Sequence, residues 1–110
     1  MPGDSLDVLH GTLDLLVLKA LAVGPLHGWA ISKRIRELSR EVLEVNQGSL
    51  YPALYRLENR GWITGEEALS NEGRRLRIYR STAAGRKQLA REIQVWKAYA
   101  GAMQHVIAAG

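Results

Sequence analysis

The 110-residue chain contains no cysteine, only three prolines, and no apolar run near the ~18 residues that a membrane span requires. Without cysteine there can be no disulfide, no thiolate metal site and no thiol nucleophile. Acid is scarce in one region. From residue 73 onward Glu92 is the only acidic side chain, set against eight bases, for a net of +7; residues 1–72 carry ten acids against seven bases, for a net of −3. Histidine is limited to His10, His27 and His105, with no pair at metal-ligand spacing. There is no nucleophile elbow and no phosphate-cradling glycine loop, and the adjacent Glu66 and Glu67 would point to opposite faces of an extended segment. These absences argue against an enzyme, and no cofactor or metal is expected. The N-terminal MPGDSLDVLHGT places acids where an export signal needs bases, so a cytoplasmic chain without a membrane partner is expected. The length suits a single folding unit, and neither an internal repeat nor a low-complexity tract interrupts it.

What is present reads first as three helices. Thr12 stands before LDLLVLKALAV as an N-cap, with Asp14 in the first turn, and the apolar run predicts a buried helix over about 13–23, ended by Gly24-Pro25. Ala30, Ile31, Ile35 and Leu38 recur at helical spacing and predict a second helix over 27–39, with His27 capping or packing at its start. Leu50, Ala53, Leu54 and Leu57 fall at i, i+3, i+4 and i+7, one face of a third helix. Gly48 or Ser49 would cap it, Pro52 would lie in its first turn and Gly61 would close it. Beyond Trp62 the texture becomes extended. LSNEGR is rich in turn residues, and in RRLRIYR, Leu76 and Ile78 alternate with Arg75, Arg77 and Tyr79, which predicts a hairpin with a basic outer face.

Thr82 then caps a long helix over 83–109, about 40 Å at 1.5 Å per residue. Leu89, Ile93, Trp96, Ala100, Met103 and Ile107 follow a 4, 3, 4, 3, 4 spacing, with Val95, Tyr99, Ala102 and Val106 as a second apolar row. A domain of ~100 residues has a radius of gyration near 13 Å and cannot cover such a helix, so a homodimer built on this seam is expected.

Three helices followed by a basic hairpin imply a mainly α fold with a small β-hairpin: a winged helix-turn-helix over 1–81 and a dimerising helix over 82–110. In that arrangement the third helix enters the major groove of double-stranded DNA and the wing follows its backbone or minor groove. The face opposite Leu50 and Leu57 carries Pro52, Tyr55, Arg56 and Asn59, with Ser49 and Tyr51 at its flanks. Arg56 suits guanine edges, Asn59 suits adenine, and the Ser49, Tyr51 and Tyr55 hydroxyls suit phosphate oxygens. Arg74, Arg75 and Arg77 supply forked donors for phosphate along the wing. The competing reading is a winged helix used for protein contacts without specific DNA binding, a role that does not need the arginine-dense wing.

The segments GTLDLLVLKAL (11–21), PLHGWAI (25–31), GSLYPALYRLENRGWI (48–63) and RIYRSTAAGRK (77–87) together resemble the PadR family of transcriptional regulators over about residues 11–99. The length is similar to that of the short subfamily, which has a single C-terminal helix. The resemblance implies a dimeric repressor on a pseudo-palindromic operator, with Ser49, Tyr51, Pro52 and Tyr55 on the recognition helix and Arg75 and Arg77 on the wing. It also implies an aromatic effector held between the C-terminal helices, here against Trp96, Tyr99 and Met103, although a tryptophan on such a seam more often serves as interface core. Two positions depart from the family pattern. Trp29 stands where tyrosine is usual, and Ser81 stands where leucine is usual, which predicts a looser junction between wing and last helix.

Overall fold

A computed structural model of the protein describes residues 6–8 and 11–110. His10 and most of the acidic N-terminal stretch lie outside the described residues. In chain order the elements are β1 (Leu6–Asp7), α1 (Leu13–Leu21), β2 (Leu26–His27), α2 (Gly28–Leu38), β3 (Leu43–Glu44), α3 (Gln47–Asn59), β4 (Ile63–Leu69), β5 (Arg75–Ser81) and α4 (Ala83–Ala108). β4 and β5 form the expected antiparallel hairpin, registered Ile63 to Ser81 through Leu69 to Arg75. The sequence pattern did not reveal β2, which joins β5 to complete a three-stranded sheet in the order β2-β5-β4. β1 and β3 make a separate two-residue parallel pair.

The helix termini explain where each element starts and stops. Thr12 makes no side-chain capping bond to α1, contrary to expectation, and its helical backbone angles place it within the turn. His27 does cap α2, with Nδ1 accepting the Ala30 N–H at 3.4 Å. α3 begins earlier than Ser49, because Asn46 is its cap and accepts the Ser49 N–H at 3.1 Å. Pro52 therefore lies in the second turn rather than the first, where its ring nitrogen cannot donate to the Gly48 carbonyl. At the other end Gly61, at φ +74°, takes the left-handed conformation that closes a Schellman motif. Its N–H reaches the Glu58 carbonyl at 3.0 Å, and that of Trp62 reaches Leu57 at 3.1 Å.

One apolar core joins these elements. Val17, Leu18 and Leu21 of α1 meet Ile31 and Ile35 of α2, and Leu50, Leu54 and Leu57 of α3, with Ile63, Tyr79 and Leu89 closing the edges. Each such side chain taken fully from water contributes about 1.5–3 kcal/mol. Among the described residues no polar or charged residue is buried, so every ionic device of the fold lies at the surface. The first turns of α4 pack on this core through Leu89 and Ile93, and the rest of the 26-residue helix runs outward. The molecule is accordingly elongated, 57 × 34 × 22 Å, with a radius of gyration of 15.4 Å against about 13 Å for a compact chain of this length.

Thr82 fixes the outset of α4. Its hydroxyl oxygen accepts the Gly85 N–H at 3.0 Å, its O–H donates to the Gly61 carbonyl at 2.7 Å, and its N–H donates to the Trp62 carbonyl at 3.1 Å. These three bonds tie the end of the wing and the start of α4 to the Gly61 and Trp62 carbonyls.

Candidate nucleic-acid interface

The buried face of α3 is the predicted one: Leu50, Ala53, Leu54 and Leu57 are all within 1% of full burial. Ser49, Tyr51, Pro52, Tyr55, Arg56 and Asn59 are all exposed, so the helix presents the polar face read from its spacing. They are not equally free. Arg56 Nη2 donates to Asp14 Oδ1 of α1, which ties one flank of α3 to the neighbouring helix. On the opposite flank Glu58 Oε2 accepts from Arg77 Nη2 of β5 at 2.5 Å. Tyr51 is half-committed as well. Its ring lies over Gly28 at the start of α2, where a Cβ would come within 2.6 Å of the Tyr51 hydroxyl. What remains open along the middle of the helix is Gly48, Pro52, Tyr55 and Asn59, a neutral strip held between two ion pairs. Gln47, which the sequence reading passed over, bonds Ser32 of α2 through Nε2 at 3.2 Å and links the two helices.

Side chains alternate across a strand, and Tyr79 and Ile63 on one face of the hairpin are buried. Arg77, two residues from Tyr79, shares that face with Arg75, and its side chain remains 39% exposed. Its guanidinium is 5.9 Å from the Tyr79 ring centre, and the hydrogen bond to Glu58 raises its pKa further above the ordinary arginine value. Burial in turn pushes the Tyr79 phenol above its usual range, against the lowering effect of Arg77. Glu66 and Glu67 do point to opposite faces. Glu66 lies 3.5 Å from Arg80, and Glu67 lies 3.6 Å from Arg77. Arg74 and Arg75, at the wing tip, are exposed and make no ion pair with any described residue. Ser70 shapes the turn there, accepting the Arg74 N–H through Oγ at 3.0 Å, with Gly73 at φ +78°.

Residues 17–91 of the chain match the model of the transcriptional regulator PadR-like family. The chain belongs to that family. That family is one of transcriptional regulators. A transcriptional regulator of Mycobacterium tuberculosis, Rv3488, is 40% identical over 75 residues, which are 68% of this chain and 66% of that protein, so the chain spans just under two thirds of the relative's length. A Clostridium thermocellum transcriptional regulator superposes with a TM-score of 0.78 at 28% identity, covering 86% of this chain and 92% of that one. Bacillus subtilis PadR, solved in complex with operator DNA, superposes with a TM-score of 0.68 over 74% of this chain and 46% of its own; at 23% identity that likeness is one of fold.

Within this PadR-like chain the long helix divides into two parts. Leu89, placed by its spacing on the seam with Ile93, Trp96, Ala100, Met103 and Ile107, belongs to the chain's own core and is 9% exposed. Ile93 also packs against that core. From Val95 onward both apolar rows face solvent: Val95, Trp96, Tyr99, Met103, Val106 and Ile107 are all exposed. Trp96 and Tyr99 approach with ring centres 6.1 Å apart, and with Leu15, Thr12 and Glu92 they line a cleft of about 530 Å³. Met103 lies beyond that cleft. No helix among the described residues is long and apolar enough to cross a membrane.

Proposed function

We propose that the chain is a homodimeric repressor that binds a pseudo-palindromic operator, with α3 in the major groove and the tip of the wing on the phosphate backbone. The observation that carries this reading is the pairing of an uncharged, exposed strip on α3 with an adjacent wing whose exposed tip arginines, Arg74 and Arg75, make no ion pair with any described residue. In this geometry Asn59 reads adenine and Tyr55 reaches a phosphate or base edge, while Pro52 offers an apolar contact to a thymine methyl. Ser49 and Tyr51 serve phosphates from the flanks. Arg56 reads guanine only by leaving Asp14, so its contribution is smaller than its position suggests. The structure of Bacillus subtilis PadR with operator DNA supports the same use of the shared fold.

The exposed apolar rows of α4 support dimerisation through a second copy, because contiguous apolar surface of this kind is normally covered in soluble proteins. Trp96, Ala100, Met103 and Ile107 form that interface on this reading. The cleft between Trp96 and Tyr99 suits a flat aromatic effector, and the Glu92 carboxylate in its lining favours one bearing positive charge. Quenching of tryptophan fluorescence by planar cations tests the cleft; equal quenching in wild type and Trp96→Ala would exclude it.

Selection of bound fragments from random DNA tests the DNA-binding role directly. The expected outcome is a motif with two inverted half-sites whose centres lie about one or two helical turns apart, in steps of ~10 bp. Failure to enrich any motif would leave protein–protein interaction as the better reading.

A further inference from the structure

Arg77 is placed and engaged unlike the other wing arginines. From β5 its guanidinium crosses β4 at Gly65, where a Cβ would lie 2.6 Å from Nε and 2.9 Å from Nη2. Only the absence of a side chain at 65 leaves that passage open. Having crossed, Nη2 donates to Glu58 Oε2 at 2.5 Å, and Nη1 lies 3.6 Å from Glu67 Oε2. Two carboxylates thus surround one guanidinium, and the positive field needed to hold a phosphate is cancelled locally. If Arg77 swung out to a phosphate, Glu58 and Glu67 would be left facing the polyanion without a counter-charge. Arg74 and Arg75 carry no such constraint.

We propose that Arg77 is a positioning residue: through Glu58 it ties the wing to the end of α3, sets the angle between them, and does not itself contact phosphate. The Arg56–Asp14 pair holds the opposite flank of α3 against α1, so the helix is braced on both sides. A planar, forked guanidinium suits this strut because it can engage two carboxylates and lie against the Tyr79 ring at once. The proposal rests on the DNA-binding reading above and deepens it, since the strut converts wing placement into operator preference.

The test titrates the full chain with its selected operator and with a scrambled duplex across a range of salt. The variants are Gly65→Ala, Arg77→Ala, Glu58→Ala, the Arg77→Ala/Glu58→Ala double variant, and Arg75→Ala. Gly65→Ala changes no charge but displaces the guanidinium. It is expected to lower the operator-to-scrambled affinity ratio about tenfold, within the range of coupling between touching residues. Arg77→Ala and Glu58→Ala should lower it similarly, and the double variant should be no worse than either single. All four should keep the wild-type salt slope, whereas Arg75→Ala should reduce the slope by about 1 per lost phosphate contact. A slope flattened by Arg77→Ala as it is by Arg75→Ala would overturn the proposal, as would tighter operator binding in Glu58→Ala. If Gly65→Ala does not fold, as judged by thermal unfolding, the Arg77 and Glu58 variants decide by the same criteria. Wild-type protein that binds no DNA would remove the underlying reading; a wild type that binds, with variants of the opposite pattern, would remove the strut alone.

Discussion

Gly85→Ala is expected to destabilise the protein, although replacing glycine by alanine inside a helix normally stabilises it by about 1 kcal/mol. Gly85 is the third residue of α4, and its Cα lies against the main chain of Trp62. A Cβ there would fall 1.9 Å from the Trp62 carbonyl oxygen and 2.9 Å from its carbon. Carbon and oxygen in ordinary contact stand about 3.3 Å apart, so the start of α4 must retreat by more than an ångström. The obstacle is backbone, so no side chain can swing aside. The retreat strains or breaks the bonds from Thr82 to the Trp62 and Gly61 carbonyls and the cap on Gly85, each worth about 1 kcal/mol. It also lifts Leu89 from its seat. With overpacking at about 1–3 kcal/mol, about two of these bonds lost and the propensity gain of about 1 kcal/mol subtracted, the net loss is about 2–4 kcal/mol. For a domain of this size that corresponds to a fall in Tm of about 10–20 °C, read by circular dichroism at matched protein concentration. Ala84→Gly, one residue earlier and exposed, serves as control and should cost only about 1 kcal/mol. A Gly85→Ala variant that melts at or above the wild-type temperature would refute the packing argument.

Other outcomes follow from local features. Arg40 and Glu41, after α2, both have positive φ, +56° and +69°, where a non-glycine side chain costs about 1–2 kcal/mol. Arg40→Gly relieves that strain, and after the entropy of the unfolded glycine is subtracted it should raise stability by about 0.5–1 kcal/mol in urea unfolding. Because the Tyr79 phenol is raised, its stabilising share is complete below pH ~10 and is lost as pH climbs through the raised value. Tyr79→Phe should therefore flatten the alkaline limb of the stability–pH curve, and an unchanged limb would show that another group governs it. Ile107→Glu, on the exposed stretch of α4, should shift sedimentation from dimer to monomer while leaving the melting of the winged-helix core cooperative.

Legibility varied with the range of the signal. The buried face of α3 was written in the spacing of Leu50, Ala53, Leu54 and Leu57, and the hairpin in the alternation of Leu76 and Ile78 around a polar turn, because both are local periodicities. The caps at His27 and Thr82, and the closing glycine at 61, follow from local backbone chemistry. β2 was not legible, since two residues, Leu26 and His27, carry no period. The start of α3 was misplaced because Pro52 normally marks a first turn and here occupies the second, behind the Asn46 cap. The alternation places Arg75, Arg77 and Tyr79 on one face of β5, but it does not show that the Tyr79 ring is buried there. The pairs Arg56–Asp14 and Arg77–Glu58 join residues 42 and 19 positions apart, and charge counts alone do not reveal them. Leu89 fits the seam by spacing, yet the fold brings the first turns of α4 onto the core and leaves only the later turns free.

The central claim, that α3 enters the major groove while the wing tip holds the phosphate backbone, is tested most directly by the salt dependence of binding to the selected operator. With Arg74 and Arg75 of two copies making about four charged phosphate contacts, affinity should fall about 10²-fold between about 50 and 200 mM salt. Binding that is absent, or that holds its strength across that range, would contradict the account.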